Sequence, residues 1–147
     1  MVFLGGLADL PDHSDDGGVR LRGAQLSYRP QVRELGAAAQ QSGRRDVPGV
    51  AAVQSFHELL SSFDRYDRVV FAWELAPPDA LRATLPPLLE GAARILIVIG
   101  PEGGFSHSEA DAAKSAGATL LHLGRRVLRT ETAGLMLLAV IGYLEAV

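Results

Sequence analysis

Two stretches of this sequence concentrate the residue types that do chemistry. Gly100-Pro101-Glu102-Gly103-Gly104-Phe105 sets one carboxylate among three glycines and a proline. Gly124-Arg125-Arg126-Val127-Leu128-Arg129-Thr130-Glu131-Thr132 gathers three arginines, a carboxylate and two hydroxyls. A third stretch, Glu74-Leu75-Ala76-Pro77-Pro78, places an acidic residue beside an apolar one. A glycine-rich loop running into a helix is a common phosphate cradle. Here, however, the glycines lack the G-x-G-x-x-G spacing, and no Lys-Ser or Lys-Thr follows as in a P-loop. Glu102 would also put negative charge where a phosphate must sit. The loop suits a ligand that is cationic, hydroxylated and free of phosphate; the simpler alternative is a glycine pair that only permits a tight turn. In the third loop, arginines at the start of a helix oppose the macrodipole. A local rule broken at the end of a strand is where function is expected. Ordinary surface charge accounts equally well for Arg125 and Arg126. Arg129 and Glu131 either close the loop through an internal salt bridge or take part in catalysis, and Thr130 is expected first as a helix cap.

The elements around these loops must hold them at one edge of a sheet. Arg68–Trp73, Arg94–Ile99 and Thr119–Leu123 are apolar runs too continuous to alternate, which a parallel sheet covered on both faces requires. In such sheets ligands bind outside the carboxyl ends of the strands, where the three loops begin. Between the strands the sequence reads as helix. Pro78 and Asp79 start one helix, which Pro86–Pro87 should break or end. Ser106 and Glu109 form a capping-box pattern ahead of Glu109–Ala116, with Gly117 as its stop. A last helix runs from near Thr130 to the end, with Leu135, Leu138, Ile141 and Leu144 as the expected core stripe. Upstream, the pattern predicts a helix at Val32–Ser42, a short strand at Val50–Val53 and a helix around Phe56–Phe63. Residues 1–30, rich in Gly and Asp with no sustained period, form a poorly ordered or atypical segment ahead of the domain at 31–147. The fold class is α/β, a parallel sheet with helices on both faces.

Composition narrows the functions available. A chain of 147 residues with 48% hydrophobic content fits one globular domain. Ala133 to Leu144 is apolar but short of the roughly 20 residues a bilayer span needs, and no leader pattern is read at the start. No membrane association and a cytoplasmic location are the expectations. With no cysteine, and with His13, His57, His107 and His122 lacking ligand spacing, no metal site is expected. The net charge of −3 argues against a broadly basic nucleic-acid surface. Any RNA contact must then come from a local patch, a dimer surface or a further domain.

GPEGGFSHSE (Gly100 to Glu109), followed after one helix and one strand by LGRRVLRTETAGL (Leu123 to Leu135), resembles the paired signature of the 16S rRNA uracil-N3 methyltransferases of the SPOUT superfamily. AAAQQSGRRDVP (Ala37 to Pro48) is similar to that family's glutamine-serine-arginine segment, so the likeness covers about the last 110 residues. The resemblance implies a deep C-terminal trefoil knot, a homodimer, and S-adenosylmethionine bound among three loops. That cofactor is a sulfonium cation carrying adenosine and no phosphate, as the second loop asks. By the same likeness Glu74 and Leu75 form one wall, Gly100, Pro101, Gly103 and Gly104 the second, and Leu123, Gly124, Val127 and Leu128 the third.

The implied substrate is 16S rRNA or the small ribosomal subunit. The implied reaction needs a proton acceptor for the uracil imide and a stabiliser of developing negative charge. Arg129 is the candidate stabiliser, and Glu131 or Glu102 the candidate acceptor or partner of that arginine; water is an equal candidate for the base. Family members also carry an N-terminal β-barrel that helps bind RNA, which is not recognisable in Met1–Pro30. The alternative is therefore a knotted dimer module that binds the cofactor without recognising RNA. A nucleotide- or phosphate-binding α/β domain is the third reading.

Overall fold

The computed structural model of the chain describes residues 2–8, 41, 54–78 and 80–146. The expected helix at Val32–Ser42, apart from residue 41, and the expected strand at Val50–Val53 lie outside them.

Three strands form where the continuous apolar runs predict them: β2 (Arg68–Ala72), β3 (Arg94–Ile99) and β4 (Thr119–Leu121). β2 lies between the other two and pairs with both in parallel. Its last residue, Ala72, stands opposite Ile99 on one side and Leu121 on the other. The carboxyl ends of all three strands therefore finish in line. A fourth strand, β1 (Val2–Ala8), adds antiparallel to the free side of β3 and makes the sheet mixed, with order β1-β3-β2-β4. It escapes the sequence reading because Gly5 and Gly6 interrupt it, and the pairing with β3 is irregular at that point, between Leu4 and Leu7. Of residues 1–30, the others lie outside the described set.

The two faces of the sheet sort the strand residues by alternation. Val70, Ile95, Ile97, Ile99 and Leu121 pack against α2 (Ala80–Leu89) through Leu85 and Leu89, and against α4 (Thr130–Ala146) through Ala133, Leu137 and Ile141. Val69, Phe71, Leu96 and Val98 face the other way onto Leu59 of α1 (Phe56–Leu60), Phe63 of a 3₁₀ turn, and Ala110 and Ala113 of α3 (His107–Ser115). Burial on both sides is why the strands read as unbroken apolar runs.

The helix signals were partly overridden. α3 has its capping box, Ser106 with Glu109. It closes as a Schellman turn, with Ala118 N–H donating to Ala113 O and Gly117 N–H to Lys114 O at a Gly117 φ of 100°. A second capping box, Ser55 with Glu58, starts α1, and the Ser55 hydrogen bonds hold the Glu58 carboxyl below the usual carboxylate range. Pro86 and Pro87 do not end α2, which continues to Leu89. Each proline deprives the carbonyl four residues back of its donor. Those residues, Arg82 and Ala83, are exposed to water, as are both prolines, while buried Leu85 and Leu89 hold the helix on the sheet. In α4 the core stripe is Ala133, Leu137 and Ile141, with Leu138 and Leu144 packed at its edge; Leu135 is 70% exposed and leaves the expected stripe. Ala133, Leu137 and Ile141 recur at four-residue spacing, which keeps one face, and Leu135 is two residues out of step.

At the opposite edge of the sheet, Asp67 fixes the β2–β3 register. Its Oδ2 accepts hydrogen bonds from the N–H groups of Ala93 (2.9 Å) and Arg94 (2.7 Å), while its own N–H donates to Arg94 O (2.8 Å). Asp67→Ala removes an acceptor from two backbone donors and is expected to lower stability by about 1–2 kcal/mol. Asp67→Asn keeps the acceptor and should recover most of it. Urea unfolding of the three proteins checks the order.

Candidate functional site

The in-line strand ends set three loops side by side, and specific hydrogen bonds tie them. Trp73, the first residue after β2, donates its backbone N–H to Leu121 O (2.9 Å) and its indole Nε1–H to Phe105 O (3.0 Å). The first loop is thereby bound to the end of β4 and to the second loop. Thr130 Oγ1 donates to Gly100 O (2.9 Å), joining the third loop to the second. Thr130 is buried, and its hydroxyl serves this link rather than the expected capping of its own helix.

The second loop turns back on itself between Gly100 and Phe105. Gly104 N–H donates to Pro101 O (2.9 Å), and Gly104 has a φ of 69°, a left-handed conformation that glycine adopts at no steric cost. Phe105 is buried with its ring centroid 4.2 Å from that of Phe71, which anchors the loop's end in the core. A Cβ on Gly100 would stand 3.1 Å from the Phe105 ring, so the loop's start lies close against its end.

Between the loops lies a cavity of about 520 Å³. That is within the roughly 300–1,000 Å³ of small-molecule sites. Of the expected binding residues, Glu74, Leu75, Gly100, Pro101, Gly104, Leu123, Gly124, Val127 and Leu128 all line it. Gly103 does not; it is exposed at the outside of the turn. Of the catalytic candidates, Arg129 and Glu102 line the cavity, and Glu131, exposed on the first turn of α4, is not part of the lining. Arg125 and Arg126, for which the sequence weighs ordinary surface charge and a functional role equally, also line it.

Trp73 and His122 are lining residues that sequence reasoning passed over. Each directly follows a strand end, β2 stopping at Ala72 and β4 at Leu121, whereas the apolar runs carry the expected strands on to Trp73 and Leu123 and so place both residues inside them. The lining thus combines two carboxylates, three guanidinium groups and apolar side chains from the first and third loops. Among the described residues no group of three or more His, Cys, Asp or Glu could hold a metal ion, and no helix is long and apolar enough to cross a membrane.

Residues 27–142 match the family model for an RNA methyltransferase domain. The chain belongs to this family. It is 39% identical over 110 residues to ribosomal RNA small subunit methyltransferase E of Bacillus subtilis, which covers 72% of this chain and 43% of that protein. Among solved structures it is similar to a ribosomal RNA small subunit methyltransferase E from Neisseria gonorrhoeae bound to S-adenosyl methionine. The TM-score is 0.65 and the identity 28%, over 84% of this chain and 55% of that one. A putative methyltransferase from Legionella pneumophila in complex with the same cofactor gives a TM-score of 0.61 at 25% identity, over 78% of this chain and 45% of that one. The chain spans about half the length of the relatives it matches. Both stretches that resemble the family in sequence, Gly100 to Glu109 and Leu123 to Leu135, contribute to the cavity lining and lie within the matched residues.

Proposed function

We propose that the chain is the catalytic, S-adenosylmethionine-binding part of a cytoplasmic RNA methyltransferase that modifies N3 of a uracil in 16S rRNA of the small ribosomal subunit. The observation that carries this reading is the cavity shared by three hydrogen-bonded strand-end loops, two of which lie in the stretches that resemble the family. Its chemistry fits the cofactor. Glu74 and Glu102 bring carboxylates to a site that must accept a cation, and Leu75, Val127 and Leu128 offer apolar cover for an adenine ring. The solved relatives with that cofactor bound support the same assignment. The family's C-terminal knot and homodimer belong to the proposal; Leu135 and Tyr143, 70% and 69% exposed on α4, are large apolar side chains available to a partner subunit.

S-adenosylmethionine, when bound, supplies a methyl group on a sulfonium centre. The protein's own part is to orient the uracil, handle its proton and steady its charge. N3 of uracil is an imide nitrogen and attacks poorly until it loses its proton. Glu102 is assigned to accept it, because Glu102 lines the cavity and Glu131 does not. The Arg129 guanidinium stabilises the negative charge that then spreads to the uracil oxygens. A stacked or paired uracil must be turned out of the RNA before N3 is reachable. Arg125, Arg126 and Arg129, which all line the cavity, give an otherwise acidic chain a local cluster of positive charge with which to meet RNA.

Calorimetric titration with S-adenosylhomocysteine tests the assignment. A dissociation constant on the order of micromolar is expected, about −8 kcal/mol of binding free energy. Absence of heat at about millimolar ligand, equivalent to weaker than about −4 kcal/mol, would remove the cofactor reading. Displacement of a bound probe by ATP and not by S-adenosylhomocysteine would instead support a phosphate-binding site.

A further inference from the structure

We infer that His122 is a positioning residue whose neutral imidazole holds the start of the third loop in its ligand-binding shape, an inference that rests on the cofactor reading above. His122 directly follows Leu121, the last residue of β4, and lines the cavity. Its Nδ1 accepts a hydrogen bond from the backbone N–H of Gly124, two residues on, at 3.1 Å. Asn and Asp side chains commonly make this turn; here an imidazole does.

The consequence is a defined protonation state. A ring nitrogen that accepts a hydrogen bond carries no proton, so the proton of the neutral ring sits on Nε2. Protonation of the ring would place N–H against N–H at the Gly124 contact and replace an attraction with a repulsion. Gly124 has a φ of 123°, so the backbone it fixes is one that favours glycine. Among the described residues, the loop is tied at this point and at its far end by Thr130 to Gly100. Residues 124–127 between these ties are exposed and without regular structure. Releasing the His122 tie frees the segment that carries Val127 and Leu128 to the cavity.

The test combines nitrogen-detected NMR of the imidazoles in the ligand-free protein with calorimetry. At about pH 8 the His122 ring should be the Nε2–H tautomer; an Nδ1–H ring would overturn the proposal whatever the ligand does. His122→Ala should bind S-adenosylhomocysteine about 3- to 10-fold more weakly at that pH. His122→Asn, whose side-chain oxygen can accept from the same N–H, should keep the affinity of the unaltered protein. An unchanged His122→Ala, or a His122→Asn as weak as His122→Ala, would count decisively against it. If the unaltered protein fails to bind at about pH 8, the cofactor reading falls, and the tautomer alone decides the role of His122.

Discussion

Gly104→Val is expected to weaken S-adenosylhomocysteine binding by about 100-fold or more, with little loss of folded protein. Gly104 sits at a φ of 69°, where a β-branched side chain is a conformational outlier costing about 1–3 kcal/mol. The new Cβ would also run into the Glu74 carboxylate, a wall of the cavity on the neighbouring loop. Glu74 can swing away, so the collision is resolved by displacing a ligand-facing group rather than by unfolding. Two penalties of this kind together approach 3 kcal/mol, and about 1.4 kcal/mol is tenfold in affinity. The adjacent glycine supplies the control. A Cβ on Gly103 meets nothing within 4 Å, its φ is not left-handed, and it does not line the cavity. Gly103→Ala should therefore bind within about twofold of the unaltered protein, inside the roughly 0.5 kcal/mol typical of surface changes. Titration of both variants, with circular dichroism to confirm folding, decides the matter. Equal affinities would detach the second loop from the site.

The contrast between these two glycines marks where sequence reading stops. The strands were legible because burial on both faces leaves an apolar run that no surface strand shows, and the parallel register then forces the loops after Ala72, Ile99 and Leu121 to one edge. That much located the cavity. Whether Gly103 or Gly104 turns the chain inward depends on one positive φ, and GG carries no mark of it. Thr130 shows the same limit: its type and position suit a cap, but the nearby Gly100 carbonyl is brought to it only by the tertiary fold. Pro86 and Pro87 were misread because a local rule ignores what holds a helix down; packing through Leu85 and Leu89 carries α2 past both. Leu135 was misplaced because α4 is apolar on several sides, so more than one stripe could be drawn through it. Glu102 and Glu131 were indistinguishable by residue type, and their separation came from geometry alone.

That separation leads to the second large effect. Arg129→Ala should lower the rate of methyl transfer to small-subunit RNA by about 10²–10³-fold, the cost of removing one donor aimed at developing negative charge. Arg129 is the last residue before α4, and its own carbonyl accepts the Ala133 N–H (2.9 Å), so its backbone is fixed by the helix it precedes. The next residue, Thr130, is fastened to Gly100 on the second loop. The guanidinium therefore starts from a rigid base beside the loop that carries Glu102, which is what preorganised electrostatic stabilisation requires. Arg129→Lys keeps the charge but loses the planar fork that can reach two oxygens, and only part of the rate should return. Glu131→Gln, outside the cavity, should change the rate by less than about threefold, as expected of an exposed helix position. Glu102→Gln removes the assigned acceptor and should cost about 10²-fold or more. Single-turnover transfer of labelled methyl to small ribosomal subunits, at saturating cofactor, measures all four variants on one scale. If Glu131→Gln proved the slow variant and Glu102→Gln the fast one, proton acceptance would move out of the cavity as built, and the third loop would have to rearrange when RNA binds.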